Sequence, residues 1–487
     1  MTPNKYKATS NFLWRLLERF GAQGVTFVVS IALARVLDTS TYGTVALITV
    51  ITTILQVFVD SGLGSALIQK KDADDVDFST VFFFNCVICF VLYFALFFFA
   101  PVIARFYNQY EGEELVPVIR VLGLILIISG FKNIQNAYVS RNLLFKKYFF
   151  ATLGGTLTAA VVGIWMAYRG YGVWALVLQN LVNQSIDTII LWITVRWRPK
   201  AVFSFDRFKA LFSYGWKLLA SSLLDAVWNQ ARQLIIGKKY STDDLAFYNK
   251  GQEYPHLLTS SVNASIDSVL FPILSQAQES REHVKAITRK AIQVESYILW
   301  PMMIGMAACA ESLICVLITE KWLPAVLYLR ISCITFAFYP IHIANLNAIK
   351  AMGRSDLYMK LEIAKKIVGF LLLVTSMWIS VEAMAYSLLL GSVFSQIINS
   401  WPNRKLLDYH YLEQIRDILP AALLSIAMGG IVYCVFLLHL PSIITLIIQI
   451  VLGILVYVLG SVLLRLESFR YVVSIAKGVL SRISTAD

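Results

Sequence analysis

Charged side chains are scarce in this chain of 487 residues. Asp, Glu, Lys and Arg together make up 15% of the sequence, whereas 58% of the residues are hydrophobic and the mean hydropathy is +0.67. A soluble protein of this length could not bury so much apolar side chain. The composition therefore excludes a soluble globular protein and predicts a protein that crosses a membrane several times.

Cysteine and histidine are also few, with six and five residues. Cys86 and Cys89 form a CxxC, but all six cysteines lie within apolar runs, where a thiol behaves as a small hydrophobic group. The histidines are scattered and show no spacing typical of metal ligands. We therefore predict no metal site, no redox centre and no cofactor.

Apolar windows of about 20 residues, the length that crosses a bilayer as a helix, recur along the whole chain. Short polar gaps separate them, and about fourteen can be counted. We therefore predict an all-α polytopic membrane protein. The predicted spans are 12–37, 43–68, 78–104, 115–140, 149–168, 172–195, 208–236, 245–275, 291–318, 325–349, 358–380, 382–401, 414–438 and 441–464.

The basic residues between the spans are distributed unequally. Alternate gaps, together with both termini, hold about 26 of the 42 Lys and Arg residues, and the opposite gaps hold about five. This bias predicts that both termini are cytoplasmic and that the number of spans is even. The net charge of +12 then reflects orientation in the membrane, and we expect no nucleic-acid partner.

About eleven basic residues remain inside the predicted spans, and four of them, two each in spans 1 and 7, lie in polar stripes. At about 100° per residue, each stripe covers one face of a helix. Snorkelling to the headgroups is the alternative explanation for such residues, but it fits Arg19 and Arg232 less well. The stripe of the first span contains Arg15, Arg19 and Gln23, and that of the seventh span contains Lys217, Asp225, Trp228 and Arg232.

The two stripes belong to an internal repeat. DSGLGSALIQ from Asp60 and DSVLFPILSQ from Asp267 share five of ten residues at one offset, and Arg120 and Arg330 form a looser pair. Spans 1–6 and 7–12 therefore read as two copies of one unit, inserted in the same direction. We predict an N-terminal lobe at 1–200, a C-terminal lobe at 201–405, and two appended spans with a cytoplasmic tail at 406–487.

Two such lobes can rock against each other around a central cavity, which is the geometry of alternating access. The stripes of spans 1 and 7 would face that cavity, where water tolerates their charges and a bound anion uses them. We therefore predict these stripes as the substrate site. Asp60, Asp225 and Asp267 are candidates for binding a coupling H⁺ or Na⁺, although Asp60 and Asp267 lie near span ends, where helix capping or ion pairing is the simpler explanation.

Three segments resemble one known family. The first, LWRLLERFGAQGVTFVVSIALARVLDTSTYGTVAL, is similar to the opening of bacterial polysaccharide flippases, with its Trp and Gln before a small-residue segment. DSGLGSALIQKKD resembles the exit of their second span, and DDLAFYNKGQEYPHLLTSSVNASIDSVLFPILSQAQ resembles their eighth. Nearly the whole chain resembles the Wzx-type branch of the multidrug/oligosaccharidyl-lipid/polysaccharide (MOP) exporter superfamily.

The resemblance implies fourteen spans, twelve in two lobes plus two appended. It also implies a flippase that moves undecaprenyl-diphosphate-linked oligosaccharide repeat units from the cytoplasmic to the periplasmic leaflet of the bacterial inner membrane. Such transport would serve lipopolysaccharide, capsule or exopolysaccharide assembly, among membrane lipids and beside a polymerase of the same pathway. The excess of intramembrane bases fits a diphosphate, which needs cationic partners.

Two other classes of protein remain as alternatives. A multidrug or organic-cation exporter of the same superfamily would need a net acidic cavity, and the excess of bases argues against it. A membrane polysaccharide polymerase or ligase generally needs a sizeable external loop to hold an acceptor, whereas the longest predicted outward gap, 105–114, has about ten residues. We therefore expect a protein that is not an enzyme.

Overall fold

The computed structural model describes the backbone of residues 3–60, 63–70, 72–107 and 112–484. Within these ranges the side chains of some residues lie outside the description. These residues are 3–13, 15–20, 60, 69, 112–114, 214, 264–265, 267–268, 475–476 and 478–484. The described backbone is helical and contains no strand, which confirms the predicted all-α fold.

The internal contacts divide the chain into two compact units, Met1–Ala246 and Phe247–Asp487. The division falls inside helix α10, and the lobes and appended spans predicted at 1–200, 201–405 and 406–487 stay a prediction. The helices of the first unit are α1 Pro3–Val36, α2 Thr39–Asp60, α3 Leu63–Gln69, α4 Asp75–Phe106, α5 Gly112–Leu122, α6 Leu124–Arg141, α7 Phe145–Tyr168, α8 Val173–Thr194 and α9 Phe205–Lys239. The helix at the division is α10 Thr242–Gln276. The helices of the second unit are α11 Arg281–Ala308, α12 Ala310–Ile318, α13 Ala325–Ala337, α14 Tyr339–Ala351, α15 Ser355–Ser376, α16 Val381–Leu406, α17 Tyr411–Cys434, α18 Ser442–Leu463 and α19 Glu467–Ser484, with 3₁₀ turns at Glu320–Trp322 and Val435–Leu438.

By length and apolar composition, nine helical segments of the described chain could cross a membrane, or ten if the bent pair α11 and α12 forms one span. Four further helices, α1, α9, α10 and α15, contain 34, 35, 35 and 22 residues and coincide with the predicted spans 1, 7, 8 and 11. Each carries several charged side chains along its length. Neither α1 nor α9, the helices of the predicted stripes, is among these candidate spans, and the described part of α1 contributes the shorter apolar segment Gly21–Val36. Fourteen spans therefore remain a prediction.

Several predicted spans contain an interruption of the α-helix, and one of them is sharply bent. Predicted span 9 bends by 72° between α11 and α12, where Cys309 links the two helices. Predicted span 4 is divided at Gly123 into α5 and α6, and a β-carbon at Gly123 would lie 2.7 Å from Leu96 Cδ2. A glycine at this position therefore lets the broken helix approach α4 closely.

The start of α4 is fixed by a cluster of charges. Asp74 caps the helix by accepting from the N–H groups of Val76 and Asp77, at 3.1 and 3.0 Å, and the Asp77 carboxylate accepts from the Asp74 N–H at 3.2 Å. The Asp77 N–H, with Arg207 nearby, holds the pKa of Asp74 below its ordinary value. Asp77 also pairs with Lys70 at 2.6 Å and with Arg207 at 3.1 Å, which ties the ends of α3 and α9 to α4.

The predicted repeat has a matching contact in each unit. Arg120 Nε donates to the Phe97 carbonyl at 3.3 Å, and Arg330 Nε donates to the Ala307 carbonyl at 3.3 Å, each across 23 residues. Both guanidinium groups also lie over an aromatic ring, that of Phe97 for Arg120 and that of Tyr433 for Arg330. These two intramembrane bases therefore bond to the exposed carbonyls of a neighbouring helix, which is a structural role.

The predicted orientation can be tested with single cysteines in a Cys434→Ser background, since Cys434 is the exposed one among the free cysteines. Tyr171 lies 52% exposed between α7 and α8, and Glu279 is exposed between α10 and α11. We expect Tyr171→Cys to react with an impermeant maleimide added outside intact cells, and Glu279→Cys to react only after permeabilisation. The opposite labelling pattern would reverse the orientation.

Candidate functional site

Helix α1 packs against α7 through one face. The Trp14 ring lies 5.4 Å from the Phe149 ring, Lys146 Nζ lies 5.3 Å from the Trp14 ring, and a β-carbon at Gly21 would lie 3.6 Å from Phe149. At about 100° per residue, Trp14 and Gly21 lie within about 20° of each other. The stripe positions Arg15, Arg19 and Gln23 fall about 100–180° from Trp14, so they lie on the side of α1 that does not face α7.

Helix α9 packs against α2, α3 and α4 in the first unit. Lys217 and Asp225 are exposed, whereas Trp228 and Arg232 are partly buried, as is Gln23 on α1. The side chains of Arg15, Arg19, Asp60 and Asp267 lie outside the described residues, so their predicted roles stay predictions.

A polar cavity of about 600 Å³ lies in the first unit. Its walls come from five helices, α2, α3, α6, α8 and α9, and carry mostly hydroxyl and amide groups. The lining residues are Thr49, Thr52, Thr53, Gln56, Val57, Ser65, Ile125, Ser129, Lys132, Asn133, Asn136, Gln184, Leu218 and Ser222. Such a volume is typical of a site for a small molecule or a headgroup, for which about 300–1,000 Å³ is usual.

The cavity is related to the predicted stripe of α9 through Leu218 and Ser222. Asp225 and Arg232 lie within about 40° of Leu218 around the helix axis, so the cavity-facing side of α9 continues through them. Lys217 and Trp228 lie about 80–100° away, at the edge of this face. None of the predicted stripe residues whose side chains the structure describes is itself among the lining residues, so the stripe stays a prediction.

Lys132 is the charged residue that lines the cavity. Its Nζ lies 2.5 Å from Asp187 Oδ2 and donates to Gln184 Oε1 at 2.9 Å. The side chains of Lys132 and Asp187 are 15% and 7% exposed, so the pair lies in the wall of the cavity rather than in open water. The neighbouring Asn133 amide donates to the Val59 carbonyl near the end of α2, which fixes the position of α6 beside α2.

Lys132 lies within predicted span 4 and is one of the roughly eleven intramembrane bases, but it is not one of the predicted site residues. The signal was present, because Ser129, Lys132, Asn133 and Asn136 follow the spacing i, i+3, i+4, i+7 along one face of α6. Reading stripes of polar residues in every span, and not only in spans 1 and 7, would have found this face. The structure shows that all four line the cavity.

The second unit contains a buried polar network near the ends of α14, α16 and α17. Asn345 Nδ2 donates to Gln414 Oε1 at 2.7 Å, Asn403 Nδ2 donates to Asn345 Oδ1 at 2.6 Å, and none of the three side chains is exposed. On α11, Glu295 is fully buried. The neighbouring groups assign the side-chain amide of Asn263 so that its nitrogen faces Glu295, and this nitrogen donates to Glu295 Oε1 at 2.9 Å. We interpret these bonds as packing interactions that satisfy polar groups inside the membrane domain.

A polar, cation-containing cavity inside a helical membrane protein is compatible with a membrane transport protein. Two solved structures share this fold. "Lipid II flippase MurJ, inward closed conformation" aligns with a TM-score of 0.76 and 14% identity over 93% of this chain and 99% of that chain. The inward-facing conformation of a multidrug resistance MATE family transporter of the MOP superfamily aligns with a TM-score of 0.62 and 13% identity over 81% and 98%.

The sequence profile of a family described as "Polysaccharide biosynthesis protein" matches residues 32–327, and the chain belongs to this family. "Succinoglycan biosynthesis transport protein ExoT" of Rhizobium meliloti is 26% identical over 66% of this chain, and the match spans 65% of that protein. "Teichuronic acid biosynthesis protein TuaB" of Bacillus subtilis is 25% identical over 79% of this chain and 80% of that protein. "Lipopolysaccharide biosynthesis protein WzxC" of Escherichia coli is 23% identical over 81% and 79%.

Proposed function

We propose that this protein is a flippase for a lipid-linked oligosaccharide. Its substrate is an undecaprenyl-diphosphate-linked repeat unit, moved from the cytoplasmic to the periplasmic leaflet of the inner membrane for polysaccharide assembly. The family, the names of the three relatives and the shared transporter fold support transport in polysaccharide biosynthesis. Both termini are placed in the cytoplasm by the distribution of Lys and Arg.

The polar cavity carries this proposal. Its hydroxyl and amide groups can exchange hydrogen bonds with the hydroxyl groups of a sugar, and Lys132 supplies a cation for a phosphate. The cavity holds a headgroup of a few hundred Å³ rather than a long isoprenoid chain, so the lipid part would stay in the bilayer. Arg15, Arg19, Gln23, Lys217, Asp225, Trp228 and Arg232 are proposed to extend this site, and Asp60, Asp225 and Asp267 to bind a coupling H⁺ or Na⁺.

Purified protein in proteoliposomes with a fluorescent isoprenyl-diphosphate oligosaccharide tests the proposal. An impermeant quencher reports how much of the lipid reaches the opposite leaflet, with and without an imposed pH or Na⁺ gradient. We expect fast exchange with the protein and almost none in protein-free vesicles. Exchange of a cationic dye without exchange of the oligosaccharide lipid would favour the multidrug exporter instead.

A cavity-filling variant connects the activity to the site. Ser222→Phe places an aromatic ring in the cavity from α9, and we expect it to reduce transport about tenfold or more at normal abundance. Ala220→Phe is the matched control, because Ala220 is exposed and lies about 160–200° around α9 from Ser222 and Leu218. Equal transport by both variants would show that the cavity is not on the substrate path.

A further inference from the structure

The ion pair in the cavity wall is built so that one partner is reachable and the other is shielded. Lys132 and Gln184 line the cavity, whereas Asp187 contacts Lys132 from behind and is 5% exposed as a residue. An ammonium group has three donors, of which Asp187 and Gln184 take two. The third donor can serve a ligand in the cavity. Asp187 Oδ1 is buried and has no hydrogen-bond partner among the described residues.

Lys132 is the charged group that faces Asp187 from α6. Among the described residues, the other helices packed on α8 place no second cation against Asp187. Helix α7 presents Gly155, where a β-carbon would lie 3.1 Å from Asp187 Cβ, and its Lys147 donates to the Thr194 carbonyl. On α5, Arg120 is directed to the Phe97 carbonyl. Helix α2 presents threonines and Gln56 to the cavity. Asp187 is the titratable residue that the sequence of α8 contains.

The charges of Lys132 and Asp187 neutralise each other only while no other anion binds Lys132. A phosphate that bonds to the ammonium brings a second negative charge close to the Asp187 carboxylate, and like charges that share one cation in a poorly solvated site repel strongly. A buried carboxylate that loses its partner is costly, and the usual relief is neutralisation. A proton can bind at Asp187 Oδ1 without breaking any hydrogen bond of the described structure.

We propose that Asp187 is a replaceable counter-ion of Lys132: a phosphate-bearing headgroup takes over the ammonium group, and Asp187 takes up one proton from water as it is displaced. When the headgroup leaves, the proton returns to water and the ion pair forms again. Lys132 would then keep an anionic partner whether or not substrate is bound. This inference rests on the proposed function, since it assumes that the substrate carries phosphate.

Calorimetric titration of the purified, detergent-solubilised chain tests the exchange. The two probes are inorganic pyrophosphate and farnesyl diphosphate, which separate a free diphosphate from a lipid headgroup. Binding enthalpies in two buffers with different ionisation enthalpies give the number of protons taken up. The protonation of the diphosphate itself can change when it binds. The decisive quantity is therefore the difference in proton number between the wild type and Asp187→Asn at the same pH.

We expect the wild type to take up about one proton more per bound diphosphate than Asp187→Asn. Asp187→Asn should bind the probe at least as tightly as the wild type, because Lys132 has lost its competitor. Lys132→Gln should bind about tenfold to a hundredfold more weakly. Glu362→Gln is the matched control, since it removes the carboxylate of the partly buried pair that Lys365 and Glu362 form at 2.7 Å in the second unit. It should leave the proton number unchanged.

The result that overturns the exchange is the same proton number in the wild type and Asp187→Asn. Weaker binding by Asp187→Asn would also overturn it, because a purely structural ion pair predicts that outcome. The double variant Lys132→Gln/Asp187→Asn can replace the ion pair by a hydrogen bond between the two amides. Melting temperatures of the single variants, compared with those of the double variant and the wild type, show whether the single variants fold normally. If the wild type binds no diphosphate and moves no oligosaccharide lipid, the proposed function itself fails, whereas transport with equal proton numbers refutes only the counter-ion.

Discussion

Replacing Arg19 and Arg232 together by alanine is expected to stop polymer production while the protein stays abundant in the membrane. Arg232 lies on the side of α9 that continues from Leu218 and Ser222 in the cavity wall. The position of Arg19 lies on the side of α1 away from α7. Because the proposed role of both cations is to bind the substrate, their removal should lower transport about tenfold or more while abundance changes little.

Lysine at the same two positions should rescue only in part. Lysine keeps the charge but loses the planar fork that engages two phosphate oxygens at once. Snorkelling predicts a different result, in which lysine replaces arginine fully and alanine reduces the amount of protein in the membrane. Polymer production normalised to membrane abundance distinguishes the two.

Arg120→Ala is the matched control for an arginine with a structural role. Its Nε bonds to the Phe97 carbonyl and its guanidinium lies 4.2 Å from the Phe97 ring centroid, so alanine there should reduce abundance and not the activity per molecule. Normal production by an abundant Arg19→Ala/Arg232→Ala variant would refute the proposed stripe site.

The helical architecture was readable from the sequence because a bilayer imposes it. Each backbone polar group must be satisfied within its own helix, so apolar runs of sufficient length become helices. The internal repeat stays a prediction, and the equivalent contacts that Arg120 and Arg330 make 210 residues apart agree with it. The breaks at Gly123 and Cys309 were not predicted, because an apolar run looks the same whether its helix is straight or bent.

The cavity was harder to predict than the spans. Its wall combines residues of α2, α3, α6, α8 and α9, and helical periodicity gives the face of a residue but not the helix that lies opposite it. Periodicity therefore predicted a polar face of α9 but gave no reason to pair Lys132 with Asp187, which lies 55 positions further along the chain. It also left α19 unnoticed, since Glu467–Ser484 follows the last apolar run and was read only as a cytoplasmic tail.

The start of α2 and the turn between α9 and α10 are in close contact. A β-carbon at Gly43 would lie 2.1 Å from the Thr242 carbonyl oxygen and 2.6 Å from Thr242 Cβ. Nearby, the Thr39 hydroxyl donates to Asp243, and a β-carbon at Gly237 would lie 1.9 Å from Leu47 Cδ2. The contact at Gly43 differs from that at Gly237, because a leucine side chain can rotate away and a backbone carbonyl cannot.

Gly43→Ala is therefore expected to separate α2 from α10 and to lower the melting temperature of the detergent-solubilised protein clearly, at a cost of about 1–3 kcal/mol or more. Transport in proteoliposomes should fall together with the melting temperature, because the contact between Gly43 and Thr242 helps to hold the α2 residues of the cavity beside α9. Gly24→Ala on α1 is the matched control. A β-carbon there meets nothing within 4 Å, and alanine in a helix should stabilise by up to about 1 kcal/mol. A second substitution, Thr242→Ala, should not restore the stability of Gly43→Ala, because the nearest clash is with the backbone carbonyl of Thr242. Equal melting temperatures for the two glycine variants would show that α2 and α10 are not held this closely.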